Sequence, residues 1–131
     1  MTLNSINQYG SDFQIKVLSS LLTHKEFLTN IHDIISDEYF ENQAQKWAIK
    51  EILKYYDKYH TTPSLDVLKV ELQKVDNEVL QVSIKEQLKL AYVTSDEDLE
   101  YVQEEFTNFY LVQLLKHYLL YFLYHQNLQP L

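Results

Sequence analysis

The chain has 131 residues, 46% hydrophobic and 23% charged, with a formal charge of −8, which suits one domain able to bury a core. One glycine and no cysteine exclude a P-loop, a dinucleotide-binding GxGxxG turn, a nucleophile elbow, thiolate catalysis and cysteine-based zinc sites. All eleven basic residues are lysine; without arginine an acidic chain is a poor ligand for DNA and supplies no arginine finger to an ATPase.

Sheets lean on glycine for their tight turns, so a chain whose breaks are Gly10, Pro63 and Pro130 is expected to be all-α, with few and long helices. Residues 1–10 carry no periodic pattern and are expected to form a flexible arm. Their lack of a basic-then-apolar signal pattern points to the cytoplasm. Ser11-Asp12 supplies an N-cap and an early acid for a helix to about Thr23, with Phe13, Val17, Leu18, Leu21 and Leu22 on one face. A second helix starts near Lys25 and carries Phe27, Leu28, Ile31, Ile34 and Ile35. In SDEYFEN, Ser36 caps a short turn that sends Tyr39 and Phe40 toward the core.

A third helix runs from about Asn42 to Tyr59, with Ala44, Trp47, Ala48, Ile52, Tyr55, Tyr56 and Tyr59 as its apolar stripe. Pro63 then disfavours helix at Thr62, and Ser64 caps the next helix, striped by Leu65, Leu68, Leu72 and Val75. A fifth helix from about Asp76 uses Leu80, Ile84, Leu88 and Ala91. Thr94-Ser95 cap the last helix, whose first turns hold Asp96, Glu97, Asp98, Glu100, Glu104 and Glu105. Acids there complement the helix dipole. The expected architecture is a compact bundle of about five to six helices, with a head over 11–93 and a long C-terminal helix or partial hairpin over 94–131.

Chemistry-bearing patterns are few. No histidine has the spacing of a helical zinc or diiron site: His24 and His32 are eight apart, as are His117 and His125. No metal, cofactor or catalytic residue is therefore assigned. Tyr55, Tyr56 and Tyr59, with Lys54 and Lys58, have the composition of a stacking platform for single strands. At this spacing, however, two of the tyrosines are expected to face the core beside Trp47.

Residues 111–124, LVQLLKHYLLYFLY, are apolar almost all round. Lys116-His117 interrupt the run, which is too short for a membrane span. A core helix, a surface buried by another subunit and an interfacial anchor are the three readings. The subunit surface is favoured, with Leu111, Leu115, Tyr118, Leu119 and Phe122 as the candidate contact residues.

From Phe13 to Leu72 the chain resembles the N-terminal domain of DnaB-type replicative helicases, and more particularly that of T4-like bacteriophage helicases. The resemblance lies in VLSSLLTHKEFL, the turn SDEYFEN, the long helix ending in YDKYH, and TTPSLDVLKVEL. Tyr39, Phe40, Pro63, Leu65 and Leu68 occupy the family's structural positions. The resemblance implies a helical head followed by a helical hairpin, subunit association into a ring of six, and docking of primase or loader, with ATP hydrolysis and translocation in a separate motor domain. It implies no direct contact with nucleic acid or membrane. The family's hairpin continues into a second helix and linker, whereas this sequence stops at Leu131, as a truncated or free-standing relative would. The alternative is a stand-alone helical adaptor, such as a phage protein that binds a host factor.

Overall fold

The computed structural model describes residues 9–94 and 97–128, with the side chains of 127 and 128 left aside. Its elements are α1 (Ser11–Thr23), α2 (Lys25–Ile31), a 3-10 turn (Asp37–Tyr39), α3 (Gln43–Tyr59), α4 (Leu65–Leu72), α5 (Glu78–Val93) and α6 (Leu99–Leu128). No strand occurs among the described residues. The all-α bundle with a long last helix is the fold the sequence led us to expect. Among the described residues, the C-terminal region is one continuous helix without a hairpin partner.

Helix α1 is the centre, with α2, α3, α5 and α6 packed around it. Phe13, Val17, Leu18, Leu21 and Leu22 are buried, and so are Ser19 and Ser20. Those small residues let neighbouring helices approach, and the Ser20 hydroxyl donates to the Lys16 carbonyl at 2.7 Å. Phe27, Phe40, Phe106 and Phe109 fill the remaining core and are essentially inaccessible to solvent.

Local chemistry places the helix starts. Asn42 accepts from the Gln45 N–H at 3.0 Å and Asn77 from the Leu80 N–H at 3.0 Å, each as an N-cap. Ser36 caps the 3-10 turn as expected. Two expected caps are displaced. Gly10, at φ 88°, holds the cap position of α1, so Ser11 is already its first helical residue. Thr94 donates to the Leu90 carbonyl at 2.7 Å and so closes α5 instead of opening α6; Ser95 lies outside the described residues.

The break between α3 and α4 turns on His60, Thr62, Pro63 and Ser64. His60 adopts the left-handed conformation at φ 58° while its N–H still donates to the Tyr56 carbonyl at 2.7 Å, which ends α3 abruptly. Thr62 donates to the Leu21 carbonyl at 3.4 Å, tying the break to α1, and Pro63 is buried. Ser64 then accepts from the Val67 N–H at 3.3 Å. The turn after α4 is held by Gln81, whose amide donates to the Leu72 carbonyl at 3.2 Å, which also accepts the Val75 N–H, and to the Val75 carbonyl at 2.7 Å.

Of the positions carried by the resemblance, Phe40 and Leu68 are fully buried and Tyr39 is half-buried. Leu65, expected in the core stripe, is 39% exposed instead. It is the first residue of a two-turn helix that enters the core only through Leu68 and Leu72. Of the three tyrosines on α3 only Tyr56 is buried; Tyr59 is exposed, so the expectation of two core-facing tyrosines is corrected. The Tyr59 ring lies in the last turn, where it packs against Tyr55 at a tilt of 40°, centroids 4.5 Å apart, beneath the Lys58 ammonium.

Candidate functional site: the exposed half of the last helix

At about 1.5 Å per residue, the thirty-residue α6 extends about 45 Å. Its first half is anchored in the head by Val102, Phe106, Phe109 and Gln113, all buried. These recur at four, three and four residues, one face of a helix. An aromatic cluster clamps this face: Tyr39 meets Phe109 edge-on at 5.1 Å, and Tyr9 stacks on Phe13 at 4.8 Å and meets Phe109 at 6.0 Å. Tyr9, which the sequence placed in a loose arm, is thus part of the clamp. Burial pushes the Tyr39 phenol above its usual pKa. At the start of α6 an ion pair joins Lys16 to Asp98.

Past Gln113 the helix leaves the head. Leu115, Tyr118, Leu119, Leu120, Tyr121, Phe122, Leu123 and Tyr124 are each between 49% and 69% exposed. The candidate contact residues Leu111, Leu115, Tyr118, Leu119 and Phe122 all belong to this free surface, brought together on one helix. The core-helix reading of residues 111–124 is therefore corrected: Leu114 is half-buried and every side chain from Leu115 to Gln126 is exposed. No helix among the described residues is long and apolar enough to cross a membrane.

Gln113 marks the exit point. Its side chain is buried, and its Oε1 has no hydrogen-bond partner. The same holds for Oε1 of Gln45, whose amide nitrogen donates to Gln87 at 3.1 Å.

A second apolar surface was not visible in the sequence. Between α4 and α5 runs a groove of about 570 Å³, floored by Leu65, Leu72, Leu88, Tyr92 and Val93. Three lysines, Lys69, Lys85 and Lys89, and two glutamines complete its lining, and no acid does. Burial raises the Tyr92 pKa. Leu65, which the sequence placed in the core stripe, lines this groove instead. The lysine spacing Lys85/Lys89 places both ammonium groups on one face of α5.

The remaining clusters hold less chemistry. Among the described residues no group of three or more histidine, aspartate or glutamate side chains is placed to hold a metal ion. The Tyr55/Tyr59 cluster shares its hollow with Glu51 and Glu71 as well as Lys54 and Lys58, so the lysine charge that a phosphate backbone would need is offset. Among the described residues the longest run of exposed apolar side chains lies on α6, and the lysine-rimmed groove adds a second apolar surface. No protein-family model, curated protein or solved structure matches the chain.

Proposed function

We propose that this chain is a non-catalytic assembly and docking domain, of the kind that precedes the motor of phage-type replicative DNA helicases. Its work is to associate subunits through α6 and to receive a partner such as primase during replication. The observation that carries this reading is the two-sided α6. One face is locked in the head by Val102, Phe106 and Phe109, while the opposite face from Leu111 to Phe122 is open to solvent. Monomeric soluble proteins rarely leave so long a contiguous apolar surface uncovered. An isolated helix of about fifteen residues is also marginal in water without tertiary packing. A second subunit would supply that packing.

The family resemblance between Phe13 and Leu72 supports the helicase context. The docking half of the reading is supported by the α4–α5 groove, whose apolar floor and three lysines suit an amphipathic helix that carries acids.

Size-exclusion chromatography with light scattering tests the assembly role. The chain should elute as an oligomer, and the variant Tyr118→Glu/Phe122→Glu should elute as a monomer with its helical circular dichroism retained. A monomeric parent chain at high micromolar concentration would remove the proposal.

A further inference from the structure

The exposed face of α6 has an internal order that fixes how two copies would meet. Starting at Tyr101, exposed residues recur at alternating steps of three and four: Glu104, Asn108, Leu111, Leu115, Tyr118, Phe122 and His125. That is the seam of a heptad repeat, and it lies opposite the Val102–Phe106–Phe109–Gln113 face held by the head. The seam is polar at both ends and apolar between Leu111 and Phe122. Val112 and Leu119 flank it on one side and Leu114 and Tyr121 on the other.

Resting on the assembly reading, we infer that α6 pairs antiparallel with α6 of a second copy. Leu111 packs against the other copy's Phe122, and Leu115 against its Tyr118. By symmetry this alignment forms four apolar layers, each end closed by Asn108 beside His125 of the other copy. Three observations select it over a parallel pair.

The first is charge. A parallel, in-register pair sets Glu104 opposite its own copy in a core layer and brings Glu100 beside Glu105 of the other chain. Like charges at those positions are destabilising. The antiparallel alignment takes Glu100 and Glu104 to the far end of the pair from Glu100, Glu104 and Glu105 of the other copy. It also separates two heads of a chain whose formal charge is −8.

The second is polarity along the helix. Every acid of α6 lies at or before Glu105, whereas Lys116, His117 and His125 all lie after it. Antiparallel pairing brings His125 to within about a turn of Glu104 and Glu105 of the other copy.

The third is hydrogen bonding. Nδ1 of His125 sits 3.0 Å from the Tyr121 carbonyl, and a carbonyl only accepts, so Nδ1 is the donor. Nε2 is left to face Asn108, whose side-chain amide offers both a donor and an acceptor. A buried asparagine at such a position specifies register. Leu120, Leu123 and Tyr124 lie off the seam and stay exposed in the pair, leaving apolar surface for contacts between pairs.

The chain has no cysteine, so engineered thiols report the pairing directly. Leu111→Cys, Phe122→Cys and the double variant are each treated with a short thiol-specific crosslinker and run on a denaturing gel. Both sites are exposed, and circular dichroism confirms folding. The expected result is monomer from each single variant and covalent dimer from the double variant. Dimer from Leu111→Cys alone, or none from the double variant of a chain that light scattering shows to be associated, overturns the antiparallel register while leaving assembly standing. A chain that is monomeric by light scattering overturns both.

Discussion

Single residues show where this chain departs from the easiest local choice. His60 takes a left-handed conformation that glycine adopts more readily, and its ring lies edge-on to Tyr56 at 6.0 Å, a contact glycine could not make. Glu51 is a second departure. Removal from water raises its pKa above the ordinary 4.5; nearby Glu71 adds to the rise, while Lys54 and Lys74 oppose it. A carboxyl that binds its proton more tightly when folded favours the native state at low pH. That contribution is complete below 4.5 and is lost as pH rises through the higher folded value. Glu51→Gln should therefore raise the melting temperature at pH 7 and leave it little changed at pH 4, as thermal denaturation at the two values would show. The raised pKa needs α3 and α4 to meet, so the sequence could not announce it.

At the scale of elements, most of the plan was legible because it depends on local signals. The starts of α2, α3 and α4 follow from Lys25, Asn42 and Ser64, and the stop at Thr62-Pro63 follows from proline geometry. The cap of α1 was misplaced because Gly10 and Ser11 can both hold that position, and only the backbone path decides between them. Ser64→Ala removes the acceptor for the Val67 N–H and should cost about 1 kcal/mol of stability, measured by urea denaturation. Because α4 lines the lysine groove, the same variant should loosen that surface before it affects α6.

The whole molecule joins two apolar surfaces to one rigid head, and their chemistry differs. The α6 seam is apolar between polar ends and suits a copy of itself, whereas the groove is ringed by Lys69, Lys85 and Lys89 and suits an acidic partner. On the docking role proposed above, the immobilised chain should capture a purified replicative primase from the same source, and reversing charge with Lys85→Glu/Lys89→Glu should abolish that capture. The oligomer should be unchanged by light scattering, because those residues do not lie on α6. Loss of the oligomer in that variant would instead make the groove part of the subunit contact.

By itself the sequence determined the helical class, the positions of most helix starts and the absence of the glycine- and cysteine-based sites. Each of these depends on residue type and short-range spacing. It also singled out residues 111–124 as apolar all round, but apolarity alone does not say what a helix lies against. Only the tertiary structure decided that Phe106 and Phe109 are held in the head while Leu111 to Phe122 are left open. It likewise decided that Leu65 and three lysines meet across a groove. Burial is a property of neighbours distant in the chain, and no local pattern encodes where those neighbours end.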